Sequence, residues 1–299
     1  MLRRRAKPLL GTLVEIGISQ MDGDEETALV RADQAINAAF AEVALIHDLM
    51  SFHKVKSDVG RINASPSGAA INVDRRTAAV LHAAWHATRE SQFAFDCTVA
   101  QELVGMELLP SLWPKQRPDA GALPLPADRQ WRIEGQAFIK LSDCIIDLGG
   151  IAKGYAVDQA IDILQRAGCA QALINAGGDM RQFGDAPAIV HLRSADDPAN
   201  LPLALALHNQ ALASSAAGGL HAHGVGDKSG IIDGVSRRPV ALGAATSIIA
   251  PTCMEADMLT KVVLASGNPE HPMLARHRAS VAQYNRAGKE HVSRQHSQP

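Results

Sequence analysis

The chain has 299 residues and a formal net charge of −2; 46% of the residues are hydrophobic, 20% charged and 4% aromatic. That much apolar material can bury a sizeable core, while near-neutral charge and few aromatic rings argue against a nucleic-acid partner. No apolar run reaches the roughly 18 residues a membrane span needs, the basic start at residues 1–7 meets charge too soon for a signal h-region, and Cys97, Cys144, Cys169 and Cys253 show no C-x-x-C spacing. The expectation is a cytoplasmic protein with buried thiols.

In chain order, Thr12, Val14, Ile16 and Ile18 alternate as in a strand. The acidic residues 22–26 open a helix whose positions Ile36, Ala39, Phe40, Val43 and Ile46 keep helical spacing to about His47. Residues 49–63 mix polar groups with Met50 and Phe52, the pattern of a loop over a ligand or of a capped helix end. Ile71 and Val73 form a short strand, and Asp74 caps a helix running to about Ser91. In residues 93–99, Asp96 and Thr98 stand two apart, placed to reach a ligand or to cap a helix. Five prolines between Pro110 and Pro126 mark an irregular excursion, and residues 131–141 read as a hairpin around Glu134-Gly135.

The stretch at residues 145–158 organises the rest. A buried β-type run ends at Asp147, passes through Gly149-Gly150, and enters a segment with Ile151, Tyr155, Ala156, Ala160, Ile163 and Leu164 at helical spacing. A strand, tight turn and helix start offer N–H groups to an anion, and Lys153 in the first turn adds a point charge. The same pattern also describes an ordinary strand-to-helix turn with a solvated lysine. After a glycine stop at Gly168, residues 172–175 form another buried strand that runs into Ala176-Gly177-Gly178-Asp179, a second glycine corner. Residues 189–193, 203–208, 231–233 and 247–250 read as strands. A capped helix then starts near Thr252, with Asp257 and Thr260 at i and i+3, a pair that suits a hard cation such as Mg²⁺ and equally suits helix capping. Residues 279–284 make a last strand, and the chain turns polar from Glu290. The expected architecture is α+β, mixed sheets flanked by helices, in one domain over residues 1–289 with a polar tail at 290–299.

Taken together, Leu10-Gly11-Thr12, Met50-Ser51-Phe52, residues 57–63, Phe95-Asp96-Cys97-Thr98, and residues 147–154, 175–179 and 255–260 resemble the ApbE family, the FAD:protein FMN transferases, in the family's order over roughly residues 8–267. The resemblance implies a flavin cleft between layers, FAD as substrate and Mg²⁺ on its diphosphate. It further implies FMN transfer to a Thr or Ser hydroxyl of an acceptor protein with release of AMP. Asp147 and Lys153 match flavin-contacting positions; Leu10, Phe52, Ala94, Phe95, Asp96 and Ile232 fall in the FAD-binding set. Gly150, through its carbonyl, Asp257 and Thr260 fall in the metal set, with Asp257 and Lys153 as the catalytic pair.

Three departures stand out. Ser229-Gly230-Ile231-Ile232-Asp233-Gly234 has glycine where the family carries a histidine, with His221 and His223 as possible substitutes. Ser236-Arg237 replaces Thr-Gly, and Lys261 stands where a hydroxyl is usual, four residues after Asp257. A Mg²⁺-dependent FAD diphosphatase and a flavin-binding protein without turnover are the alternative readings, and because many members of the family are exported, the periplasm is the alternative location to the cytoplasm.

Overall fold

A computed structural model describes residues 2–21, 24–113, 129–192, 203–218, 228–284 and 290–292. Most of the proline-rich excursion, His221 and His223 lie outside the described residues. The chain begins with β1 (Arg3–Leu9) and β2 (Thr12–Met21), joined by Leu10 and Gly11 at φ +57° and +71°, the left-handed pair that a two-residue hairpin turn requires. Asp24 then caps α1 (Glu25–Met50), Ser57 caps α2 (Asp58–Ala64), and β3 (Ala70–Asn72) leads to α3 (Arg75–Glu90), capped by Asp74. A 3₁₀ turn at Cys97–Val99 runs into α4 (Ala100–Gly105), and the hairpin of β4 (Trp131–Glu134) and β5 (Ala137–Lys140) follows.

Next come α5 (Ala152–Arg166), β6 (Cys169–Ala176), β7 (Asp179–Phe183), β8 (Ala188–Leu192), β9 (Leu203–Leu207) and β10 (Ala211–Ala216). The chain continues through β11 (Ile232–Asp233), β12 (Arg238–Pro239), β13 (Ala245–Ala250), α6 (Cys253–Ser266), α7 (Pro272–Arg276), β14 (Ser280–Tyr284) and β15 (Glu290–Val292).

These elements form the expected α+β architecture. An antiparallel sheet in the order β1-β2-β6-β7-β10-β13-β14-β15 carries the core. Helices α1, α5 and α6 pack together against it through Val14, Ile16, Ile36, Phe40, Ile161, Leu164, Leu259 and Val263, all buried. Burying side chains of this kind is worth roughly 1.5–3 kcal/mol each, which is what holds the helices to the sheet. A smaller apolar cluster links the β8–β9 hairpin (Val190, Leu192, Leu207) to Leu212 and Ala282 of the main sheet. All four cysteines are free and buried, as expected.

Two expectations fail. Residues 145–147, expected as a strand, belong to no sheet. Asn63 takes the place of a neighbouring strand: its side-chain amide donates to the Ile146 carbonyl (2.9 Å) while its Oδ1 accepts the Ile146 N–H (2.8 Å), and the Asp147 N–H donates to the Cys97 carbonyl (2.8 Å). Asn63 is held by Lys140, which is fully buried and donates to the carbonyls of Ile62, Asn63 and Ser65 at the end of α2. The second miss is at the C-terminus, where residues 290–292 pair with β14 as an edge strand. The pairing is made by the backbone, which the polar composition of the segment does not announce.

Candidate active site

Helices α5 and α6 start side by side. Gly154 makes this possible: a Cβ there would come within 2.2 Å of the Cys253 carbonyl oxygen, so only glycine admits the close approach. The start of α6 has a capping box in which Thr252 accepts the Glu255 N–H (3.2 Å) and donates to the Glu255 carboxylate (2.7 Å). Asp158 of α5 accepts the N–H groups of Cys253 and Met254, both at 2.9 Å, and is itself paired with Arg181 at 2.7 Å. Asp257 is therefore not the cap of its own helix. Its Oδ2 accepts the Gly154 N–H (3.1 Å), so from α6 it caps α5, whose N-terminus has no side-chain cap of its own.

Asp257 also anchors a cluster of four charges. Its Oδ1 takes the ammonium of Lys261, one turn further along α6, and lies 3.9 Å from the Lys153 Nζ. Lys153 in turn donates to Asp179 at the start of β7. The carboxylates form the floor, with side chains 0% exposed for Asp257 and 1% for Asp179, while the lysine side chains above them are 18% exposed for Lys261 and 33% for Lys153. The cluster thus presents cations outward. Burial pushes the Asp257 carboxyl up, but the charges of Lys153 and then Lys261 outweigh it and hold the pKa below its ordinary value. For Asp179, burial and the Asp257 charge win, and its pKa is raised despite Lys153. Lys153 is pulled down by burial, yet Asp257 and Asp179 together raise it, so it stays an ammonium.

Other predicted segments converge on this cluster. Gly150 stands beside Lys261 and Phe95, with a Cβ position 3.5 Å from the Phe95 ring and 3.6 Å from Lys261 Cγ. At the second corner, Asn175 Oδ1 accepts the Gly178 N–H (2.9 Å), and Gly177 leaves no room for a Cβ against Thr12, which brings the Leu10–Gly11 turn alongside. Asp147 folds back over Gly149, and enclosure raises its pKa. Ile232 is buried in the β11–β12 hairpin, which is held by the Gly234 N–H donating to the Ala94 carbonyl (3.2 Å).

Some expected roles meet a different geometry. Phe52 is a core side chain, packed edge-to-face on Trp113 with ring centroids 4.7 Å apart. The Asp96 carboxylate, placed in the FAD-binding set, is committed to the Thr98 N–H (2.8 Å), the Thr98 hydroxyl and Arg237 (2.8 Å). Arg237 spans both acids of this region, donating also to Glu102 (2.8 and 2.9 Å) and to the Thr98 carbonyl (2.8 Å). This clamp is how the chain accommodates arginine, at φ +57°, where glycine was expected. Asp179, Glu102 and Asp158 carried no role in the sequence reading. Asp179 has the one readable signal, an acid directly after a Gly-Gly turn.

The expected metal set does not fit Mg²⁺ as these residues stand. The Thr260 hydroxyl donates to the Asp257 carbonyl (2.7 Å) and bonds with the Ser215 hydroxyl (2.7 Å), and both Asp257 oxygens already have partners. Among the described residues no three His, Cys, Asp or Glu side chains gather as a metal cage.

Comparison with known proteins identifies the family. The sequence matches the ApbE family over residues 10–284. The chain belongs to the ApbE family. One relative, the FAD:protein FMN transferase of Vibrio cholerae serotype O1, is 27% identical over 195 residues, covering 59% of this chain and 53% of that protein, so the match spans about half the relative's length. The same fold is seen in the ApbE protein of Thermotoga maritima (TM-score 0.76, 22% identity, 97% of this chain and 96% of that one). It is seen again in the apo flavinyl transferase ApbE of Pseudomonas stutzeri (TM-score 0.75, 19% identity, 95% and 91%). The flavin transferase ApbE of Vibrio cholerae shares it too (TM-score 0.72, 22% identity, 97% and 96%).

Proposed function

We propose that this chain transfers FMN from FAD to a Thr or Ser hydroxyl of an acceptor protein and releases AMP. The observation that carries the reading is the outward-facing ammonium pair of Lys153 and Lys261, held over buried Asp179 and Asp257 where α5 and α6 begin. A diphosphate is the part of FAD that such a pair recognises, and membership of the ApbE family supports the rest of the substrate. The flavin end then lies along Phe95, Asp147, Ile232 and the Leu10 turn.

In the reaction, the acceptor hydroxyl oxygen bonds to the FMN-side phosphorus as the bond from that phosphorus to the bridging oxygen breaks. The electron pair leaves with AMP, and the hydroxyl proton passes to solvent. Lys153 touches the diphosphate and balances the charge that develops on the leaving phosphate, the main task in phosphoryl transfer. Asp257 acts through the lysines and through the α5 start, which makes it a positioning residue. The Mg²⁺ expected from the resemblance has no step here, because Lys261 and Gly154 already hold the Asp257 oxygens.

The test is incubation of the protein with FAD and a Thr- or Ser-bearing acceptor, with and without MgCl₂. AMP in the filtrate together with flavin fluorescence on the denatured acceptor is expected. AMP and free FMN without labelled acceptor would mean FAD hydrolysis instead, and no AMP in any condition would leave only flavin binding.

A further inference from the structure

We propose that the Lys261 ammonium is a built-in counter-cation, so that this site holds the diphosphate of FAD without a divalent metal. The inference rests on the reading of FAD as substrate and says which charge meets its diphosphate. Three observations carry it. The stem of Lys261 packs beside Gly150, with Cγ 3.6 Å and Cε 3.7 Å from where a Gly150 Cβ would stand, so lysine methylenes lie among the expected ligand residues, where the resemblance puts a metal. Its ammonium sits on Asp257 Oδ1, while the other oxygen of that carboxylate takes the Gly154 N–H. Thr260, the remaining candidate ligand, directs its hydroxyl to the Asp257 carbonyl and to Ser215.

A Mg²⁺ ion on Asp257 would have to displace Lys261 and then remain beside a second ammonium, Lys153, at 3.9 Å from the same carboxylate oxygen. Like charges at such range repel strongly where solvent is scarce. The lysines supply the compensation themselves. Each ammonium has three N–H groups, and among the described residues each uses its shortest contact on one carboxylate, Lys261 on Asp257 and Lys153 on Asp179. Both lysine side chains are partly exposed above buried acids, so the remaining N–H groups are available as charge-assisted donors for phosphate oxygens. Two point charges fixed by buried carboxylates thereby do the neutralising that a bound metal ion does elsewhere.

The experiment is a fluorescence titration of chelator-treated protein with FAD, once in EDTA and once in excess MgCl₂, for the unaltered chain and for Lys261→Thr. The unaltered chain should bind FAD with the same affinity in both buffers, within about threefold. Lys261→Thr should bind about tenfold more weakly in EDTA and recover when MgCl₂ is added. An affinity of the unaltered chain that rises more than about threefold with MgCl₂ would overturn the proposal, as would undiminished binding by Lys261→Thr in EDTA or no binding of FAD by the unaltered chain in either buffer. If Lys261→Thr does not fold, as judged by circular dichroism, the unaltered chain decides alone. Failure to label an acceptor bears on the transferase reading and leaves this binding comparison standing.

Discussion

Two buried charge clusters lie close together in this molecule and differ in what their cations face. In the clamp, the Arg237 side chain is 12% exposed and its guanidinium is shared among Asp96, Glu102 and Thr98. In the site cluster, Lys153 and Lys261 lie on the solvent side of two fully enclosed carboxylates. The first arrangement closes on itself and fastens the β11–β12 hairpin to α4. The second leaves ammonium donors directed outward. Saturation of donors separates a structural latch from a place for an anion, even though both look alike as lists of acids and bases.

Asp257→Asn tests the site side of that contrast with the largest effect. It removes the charge beneath both lysines, so AMP release should fall by about 10² or more. Because the pair is buried, stability should also drop, by about 3 kcal/mol in a urea titration. An activity loss without any stability loss would mean that the carboxylate does not anchor the lysines in the folded chain.

Arg237→Met tests the latch. Two acids lose their partner, and the expected loss is about 3 kcal/mol in urea unfolding. FAD affinity of the folded protein should stay within about threefold. A large loss of FAD affinity with little loss of stability would make the clamp part of the ligand site and dissolve the distinction.

How far the sequence disclosed these clusters follows from distance along the chain. Asp257 and Lys261 lie one helical turn apart, so their proximity is readable at once. Lys153 and Asp179 are 26 residues apart and meet only because β6 turns back at Gly177-Gly178. Glu102 and Arg237 are 135 residues apart, and no local pattern announces their contact. The β4–β5 hairpin and the helices with strong caps were legible because their signals are local, as at Asp74 and Thr252, whereas the exposed, basic strand β1 carries no alternating pattern and was not read. Residues 145–147, expected as a strand, show the reverse case, since the partner of this run is a side chain 83 residues earlier, Asn63. The order of the main sheet, in which β2 pairs with β6, depends on the packing of α1 against α5 and is not written in any single segment.

A smaller effect is expected far from the anion site. His277 bridges Glu255 (3.0 Å) and Glu90 (3.2 Å). The hydrogen bond that its ring donates to Glu255 raises its pKa above the ordinary 6.5, against the opposing effect of burial and with help from Glu90. The bridged imidazolium therefore stabilises the fold fully below pH 6.5, and that contribution is lost as pH rises through the folded value. His277→Gln should flatten this part of the stability–pH curve by about 1 kcal/mol or less, with FAD affinity unchanged. A curve identical to that of the unaltered chain would show that the bridge contributes nothing to the fold.

The central claim is that the outward ammonium pair recognises a diphosphate, and paired titrations with FAD and FMN test it most directly. FMN offers the same isoalloxazine ring with a single phosphate. The account predicts that FAD binds at least about tenfold more tightly than FMN, and that Lys153→Met removes most of that difference while leaving FMN binding nearly as it was. Equal affinities for FAD and FMN in the unaltered chain would contradict it.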